Sequence, residues 1–417
     1  MQKFKLHLFL IIYFMIIIFS SFLVFGIKET IKGFIRIQIS PGRLISDYFV
    51  LGGIGGSFLN ASLLSIISII LIIILKMDVS GPVIASVFTI FGFALFGKNI
   101  ISVLTLWIGV YISSLIARKK FIEYIFIAFF GSALSPVFSI ITFELTMTPY
   151  LSLFLGILFA IIVGILLPPT AIYVLRFHQG YNLYNVGMTA GFLSLFISSI
   201  LRNLNVDLKL FDLWSEGKDI FSTLIVPLSS IIFIIAGILK KPKNAVEEFI
   251  KLQKENGRLP SDFLILSSKD ATFLNMGILT LIYFLYVLIS RSPINGPVLG
   301  GLFTIFGFAA FGKNIRNCIP ILLGVFVTSI LLNKPLNSPA IILGALFSTT
   351  LAPLSGTFGF FVGFIGGVLH IILVQYTAGW VGGLNLYNNG FAGGLVATFI
   401  VAIIDWFENT INFKLKK

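Results

Sequence analysis

The sequence predicts an all-α membrane protein with many spans, built from two tandem homologous repeats. Three observations support this class. Charged residues make up only 11% of the chain and hydrophobic residues 57%, whereas soluble domains carry about 25% charged residues. Apolar runs of about 20 residues recur, which is the length that a helix needs to cross a bilayer core. A set of polar motifs also occurs twice at nearly constant spacing.

The same composition excludes a soluble enzyme, a nucleic-acid-binding protein and a disordered chain. A soluble globule of 417 residues with a mean hydropathy of +1.05 could not hide its apolar side chains from water. Most basic residues lie between the apolar runs, so the net charge of +13 indicates cytoplasmic loops rather than a nucleic-acid partner. The first run, residues 6–25, is longer than a signal peptide core and is interpreted as a span.

The duplication is evident at an offset of 215 residues. Residues 81–100, GPVIASVFTIFGFALFGKNI, return at 296–315 as GPVLGGLFTIFGFAAFGKNI, with 15 identities in 20 positions. The same offset relates Asn60 to Asn275. Later the offset drifts, and the NLYN motif at 182–185 recurs at 385–388. Ordered polar motifs of this kind do not arise from composition bias, so the chain divides into repeat A (1–202), a connecting loop (203–219), repeat B (220–403) and a polar tail (404–417).

Each repeat is predicted to contain six spans, or about 12 transmembrane helices in all. In repeat A they lie near 6–26, 56–75, 100–117, 121–142, 150–167 and 186–201. In repeat B they lie near 220–239, 272–290, 315–332, 338–352, 357–376 and 386–403. The short GPV…FGKN segments are interpreted as re-entrant.

Charge gives two alternatives for the orientation of the halves. If the equivalent basic loops 27–47 and 240–270 are both cytoplasmic, the halves have the same orientation. Lys3, Lys5 and the C-terminal lysines would then lie outside, so an inverted arrangement stays open. The amphipathic segments around Phe34 and Phe249 predict interfacial helices.

Broken segments at matching places in two repeats indicate a translocation site. We therefore expect the repeated polar residues near the GPV…FGKN and NLYN motifs to line a substrate path. Amides, phenols and hydroxyls could replace the hydration shell of a small solute, and lysine could attract an anion or donate to a carbonyl. These candidates are Thr89, Lys98, Asn99, Asn182, Tyr184, Asn185, Thr304, Lys313, Asn314, Asn385, Tyr387 and Asn388.

Each candidate has a structural alternative. The lysines could extend to the headgroups, the asparagines could cap helices, and the threonines could bond to carbonyls of their own helix. No metal site, cofactor site or catalytic motif is expected, because the chain has three His and one cysteine, Cys318, without ligand spacing. The chain is thus not expected to be an enzyme.

At these motifs the sequence resembles the urea transporter family. The openings are NGPVLGG at 295–301 and SGPVIAS at 80–86, and the later elements are GGLNLYNNGFAGG at 382–394 and GYNLYNVGMTAG at 180–191. The resemblance implies a solute path between two pseudo-symmetric halves. The sequence departs from the family's pattern in one respect. The family's LPxxT-type element is expected after the later element, whereas LLPPT at residues 166–170 precedes it. The chain is also similar to an uncharacterised group of duplicated bacterial membrane proteins, which implies no activity.

The leading hypothesis is a channel or facilitator for a small polar solute in the inner cell membrane. One alternative is a proton-coupled secondary transporter that uses Glu123 or Glu144. Another is an assembly or lipid-handling protein without an aqueous path. The expected partners are membrane lipid and the solute, with no nucleic acid, and a homo-oligomer is left open.

Overall fold

The computed structural model describes residues 2–145, 147–208, 210 and 212–415, and this part of the chain is helical without a β-strand. Repeat A contains α1 (Gln2–Phe25), α2 (Ile27–Gln38), α3 (Tyr48–Ile74), α4 (Gly81–Phe93), α5 (Ile100–Ile116), α6 (Ile125–Gly131), α7 (Ser135–Phe143), α8 (Pro149–His178) and α9 (Asn185–Asn203). Repeat B contains α10 (Ile220–Ile238), α11 (Pro242–Leu252), α12 (Phe263–Leu266), α13 (Lys269–Ile289), α14 (Gly296–Phe308), α15 (Ile315–Leu331), α16 (Pro339–Phe347), α17 (Ala352–Phe358), α18 (Phe360–Trp380) and α19 (Asn388–Leu415). The all-α, duplicated membrane architecture is confirmed.

Ten segments of the described chain are long and apolar enough to cross a membrane. Five come from each repeat: α1, α3, α6 with α7, α8 and α9, and their equivalents α10, α13, α16 with α17, α18 and α19. The predicted spans 100–117 and 315–332 are α5 and α15, each of 17 residues. At 1.5 Å per residue they reach only about 25 Å, less than a core of about 30 Å. The twelve expected spans are therefore ten candidates plus two short helices.

Two of the ten candidate spans are broken in the middle. A 3-10 turn at Ser132–Leu134 separates α6 from α7, and one at Ser348–Leu351 separates α16 from α17. Pro136 and Pro353 follow these turns. Proline lacks a backbone N–H, so each fits the first turn of the new helix, where that N–H would have no partner within the helix.

The short helices α4 and α5 are joined by a turn and do not pack along each other, and the same holds for α14 and α15. The turn after α4 includes Gly97 at φ 80°, and the turn after α14 includes Gly312 at φ 110°. These left-handed angles favour glycine. Helix α6 runs back along α5, since the Trp107 and Phe129 rings lie 4.9 Å apart, and it ends where Ser132 meets Lys98 in the turn.

Helices α4 and α14 pack against each other antiparallel at the centre of the molecule. A Cβ atom added at Gly81 would lie 2.3 Å from the carbonyl oxygen of Ala310, and one added at Gly296 would lie 2.5 Å from that of Leu95. The start of each helix therefore lies against the end of the other. Only glycine permits this approach.

The equivalent spans α1 and α10 are antiparallel as well. The ring of Phe9, early in α1, lies 5.3 Å from that of Phe233 late in α10, and Phe25 at the end of α1 lies 5.5 Å from Phe221 at the start of α10. The halves are therefore related by an approximate two-fold axis across the spans. The alternative of equal orientation is wrong because it assumed an even number of spans per half, whereas the structure has five long ones.

Each repeat also caps the central helix of the other. The Asp47 carboxylate accepts a hydrogen bond from the Gly296 N–H at 3.3 Å, at the start of α14. Its equivalent Asp262 accepts one from the Gly81 N–H at 3.0 Å, at the start of α4. Burial raises the pKa of Asp47 to about 6, although three backbone N–H groups oppose the shift. The two repeats thus share one core.

Two amide side chains hold the turn between α4 and α5, and two hold the turn between α14 and α15. Asn60 donates to the carbonyl oxygens of Ala94 at 2.7 Å and Lys98 at 2.9 Å, and accepts from Gln38 at 2.9 Å. In repeat B, Asn275 and Gln253 occupy the same roles, with distances of 2.7, 2.7 and 3.1 Å.

We expect Asn60→Ala to lower the free energy of unfolding by about 2–4 kcal/mol, because two buried carbonyl groups lose their donor. Ser68→Ala is the matched control in the same helix, since the Ser68 hydroxyl bonds only to the Leu64 carbonyl of its own helix. Its effect should stay within about 0.5 kcal/mol. Denaturant unfolding in detergent measures both variants, and equal losses would contradict the role of Asn60.

Candidate functional site

A cavity of about 190 Å³ lies on the two-fold axis, and equivalent residues of the two repeats line it. Seven equivalent pairs contribute to its wall: Thr89 and Thr304, Phe93 and Phe308, Phe130 and Phe347, Leu183 and Leu386, Tyr184 and Tyr387, Val186 and Asn389, and Gly187 and Gly390. The wall is mostly aromatic and aliphatic, with a few polar groups. This composition is typical of sites for small molecules.

Helices α9 and α19 meet at the cavity by their first turns. A Cβ atom on Gly187 would lie 3.1 Å from the Gly390 Cα, and one on Gly390 would lie 3.0 Å from the Gly187 Cα. Glycine is needed at both positions because any side chain would separate the helices. The first N–H groups of a helix have no partner within it, so both positive helix ends border the cavity.

A fully buried lysine lies behind the cavity wall, in the turn between α4 and α5. The Lys98 ammonium donates to the Ser132 hydroxyl at 2.8 Å and to the Tyr387 hydroxyl at 2.5 Å. Its Nζ also lies 4.4 Å from the Tyr387 ring centroid and 5.3 Å from that of Phe93. The lysine comes from repeat A and its tyrosine from repeat B.

The turn between α14 and α15 repeats this arrangement with the halves exchanged. Lys313, also fully buried, donates to the Tyr184 hydroxyl and, at 2.8 Å, to the Thr349 hydroxyl. Its Nζ lies 4.5 Å from the Tyr184 ring centroid and 4.8 Å from that of Phe308. Neither lysine extends to the headgroups, so the snorkelling alternative does not hold.

Both ammonium groups are solvated by neutral groups alone. Hydroxyl oxygens and ring faces are their contacts, and no Asp or Glu lies among the described residues that line the cavity. An isolated charge in a low-dielectric interior is costly unless hydrogen bonds or an opposite charge compensate for it. The site therefore carries positive potential without an internal negative partner.

Asn182 and Asn385 lie beside the cavity as structural groups. The Asn182 amide donates to the Gly390 carbonyl at 3.1 Å, and that of Asn385 donates to the Gly187 carbonyl at 3.0 Å. Each side-chain oxygen accepts from the backbone N–H of the following tyrosine, Tyr184 at 3.2 Å or Tyr387 at 2.9 Å. These bonds fix the two helix starts across the axis.

The other candidates divide between wall and cap positions. Thr89 and Thr304 line the cavity, but their hydroxyls donate to carbonyls of their own helices at 2.6 and 2.7 Å. Asn99 and Asn314 cap α5 and α15 and do not line the cavity. Asn185 lines it.

Asn388 borders a neighbouring cavity instead. Asn389 forms the wall of the central cavity on that side. Its amide oxygen lies 3.0 Å from His370 Nε2.

Sequence reasoning missed Ser132, Thr349 and Asn389. The repeated LSP and LAP motifs around Pro136 and Pro353 could have found the first two, because aligning these prolines places Ser132 opposite Thr349. Asn389 has valine as its equivalent, so duplication gives no signal for it.

The acidic candidates lie elsewhere. Glu144 forms an ion pair with Arg43, and Glu123 lies at 3.6 Å from Lys119 on an exposed turn. Neither lines the central cavity. Among the described residues, no group of three or more His, Cys, Asp or Glu could hold a metal ion.

The chain belongs to the family described as "Protein of unknown function (DUF1576)". The match covers residues 27–203 and 241–406, one segment from each repeat. No curated protein and no solved structure matches the chain. The similarity to an uncharacterised duplicated family is thus confirmed, and the comparisons give no support to the resemblance to urea transporters.

We expect Tyr184→Phe to lower the free energy of unfolding by about 1.5–3 kcal/mol, because the buried Lys313 ammonium loses a hydrogen bond. Tyr111→Phe is the control, since Tyr111 is 46% exposed in α5. Thermal unfolding in detergent compares the two variants. A Tyr184→Phe protein as stable as the control would show that Lys313 does not depend on this hydroxyl.

Proposed function

We propose that the protein is a transporter that carries a small solute across the inner cell membrane through the cavity between its halves. The observation that carries this proposal is the exchange of lysine and tyrosine across the cavity on the two-fold axis. Broken helices and repeats of opposite direction around a central site are the architecture of many secondary transporters. No catalytic role is proposed for any residue.

The proposal includes a topology with five crossings in each half. Helices α4 and α5 would together form one crossing, as would α14 and α15, while α6–α7 and α16–α17 would each enter and leave the membrane on one side. Irregular backbone at membrane depth is tolerated where protein buries it or a cavity adjoins it. The turns at Lys98 and Lys313 meet this condition, since both lysines are fully buried.

The distribution of basic residues supports the orientation. His7 Nε2 lies 3.0 Å from the Met77 carbonyl oxygen, so the start of α1 lies beside the end of α3. Arg258 donates to the Gln179 carbonyl at 2.9 Å, and Gln179 donates to Asp405 in α19 at 3.0 Å. The inverted arrangement places these ends on one side with α11, a basic face that would be cytoplasmic, whereas residues 118–120 lie on the side of the start of α8.

Alternating access fits the cavity better than a continuous pore does. A pore needs polar groups along its whole length, whereas the threonine hydroxyls bond to their own helices and the polar groups gather at one place. The channel hypothesis is therefore the second candidate. Proton coupling through Glu123 or Glu144 has no support from their positions.

Cysteine labelling tests the topology, because Cys318 is the chain's single cysteine and Cys318→Ala removes it. Lys28 and Lys243 are repeat equivalents in α2 and α11, and both are exposed. In that background, Lys28→Cys should react with a membrane-impermeant maleimide from the periplasm and Lys243→Cys only after permeabilisation. Reaction of both from the same side would contradict the inverted topology.

Cavity blocking tests transport itself. In the Cys318→Ala background, Asn185→Cys places a thiol on the cavity wall, and Lys334→Cys places one on an exposed loop as the control. Proteoliposomes are assayed by reswelling with urea, glycerol, butyramide and butyrate. A small methanethiosulfonate should reduce flux at least tenfold in the Asn185→Cys protein and leave the control unchanged. Equal flux after modification of both would refute a path through this cavity.

A further inference from the structure

We propose that the transported solute is a small organic anion, a carboxylate with a short apolar body. This inference rests on the proposed transport function and names the substrate class of the same cavity. It depends on three features that converge there: the two buried lysines, the two helix starts and the apolar wall.

The site holds two lysine amines behind its wall, and no Asp or Glu lies among the described residues that line it. Lys98 and Lys313 are each 0% exposed and have hydroxyl oxygens as hydrogen-bond acceptors, with no carboxylate contact. A bound anion would supply the opposite charge that these ammonium groups lack. In a low-dielectric interior this compensation is large.

The lysine charge reaches the cavity through the tyrosines. Each ammonium donates to a phenol oxygen, which leaves the phenol O–H as a donor. Tyr184 and Tyr387 line the cavity, so each phenol lies between a buried lysine and the space for a ligand. Hydrogen bonds to an ionised acceptor are about twice as strong as neutral ones.

The first turns of α9 and α19 add backbone donors. Asn185 and Val186 line the cavity from α9, and Asn389 and Gly390 line it from α19. Because the two helices meet start to start, their positive ends are directed at one place. Helix starts bind carboxylate and phosphate groups well, and in transporters they contact anionic substrate groups.

The apolar part of the cavity wall favours a hydrocarbon body on the bound anion. Phenylalanines and leucines form most of it, among them Phe93, Phe308 and Phe347. A strongly hydrated inorganic anion would lose its water without replacement on these faces. A carboxylate with a short hydrocarbon chain instead places its charge at the donors and its body against the rings.

Uptake of paired probes tests the proposal. Butyrate and butyramide have nearly the same size, and benzoate and benzamide form a second pair. In proteoliposomes at pH 7.5, the wild-type protein should take up at least one carboxylate ten times faster than its amide, after subtraction of flux through empty liposomes.

Lys98→Met and Lys313→Met should each reduce this carboxylate uptake at least tenfold. Lys334→Met, in the exposed loop after α15, is the control and should retain it. Because methionine removes a buried charge without leaving a cavity, both variants are expected to fold, and thermal unfolding in detergent verifies this. Butyrate at saturating concentration should also raise the melting temperature of the wild type and not of either lysine variant.

Three outcomes separate the two proposals. Faster uptake of the amides with no effect of the lysine substitutions would overturn the anion assignment and leave transport standing. Binding of a carboxylate, seen as lysine-dependent thermal stabilisation, without any uptake would support the anion site and overturn transport. Neither uptake nor stabilisation with any of the four probes would overturn the anion assignment.

Discussion

The structure depends on how two ammonium groups are accommodated in an apolar core without a carboxylate. Lys98 and Lys313 each require several oxygen atoms or ring faces, because an unsolvated charge would destabilise the fold by several kcal/mol. The nearest repeat supplies one hydroxyl, from Ser132 or Thr349. The second comes from the tyrosine of the opposite repeat. Neither half can therefore solvate its own lysine.

Side chains of one repeat also bond to the helix starts of the other repeat. Asp47 of repeat A caps α14 of repeat B, and Asp262 caps α4. Asn182 holds the start of α19, while Asn385 holds the start of α9. A change in the relative position of the halves would break several of these contacts together. The contacts across the axis are thus suited to a transporter whose halves have a small number of discrete arrangements.

Duplication explains how much of the site was predictable. Tyr184, Tyr387, Lys98 and Lys313 were found because polar residues that recur in both repeats stand out against an apolar background. Their grouping was not predictable, since it depends on antiparallel packing of α4 with α14 and of α1 with α10. Equal orientation is the alternative obtained by placing both basic loops, 27–47 and 240–270, on the cytoplasmic side, which requires an even number of crossings in each half.

The roles of the asparagines also followed only from the structure. Asn99 and Asn182 have similar sequence surroundings, with glycine and apolar residues nearby. One caps a helix and the other bonds to a carbonyl across the axis. The amide group serves equally well as a cap, a cross-link or a pore ligand. Its role is therefore set by the direction of the neighbouring helices rather than by local sequence.

The central claim is that each buried lysine is stabilised by the tyrosine of the other half, and a double-mutant cycle tests it most directly. The cycle combines Lys98→Met with Tyr387→Phe and compares it with Lys98→Met combined with Tyr184→Phe, using the free energy of unfolding in detergent. We predict a coupling energy of about 1–3 kcal/mol for the first pair and less than about 0.5 kcal/mol for the second. Equal coupling for both pairs, or coupling for the second alone, would contradict the account.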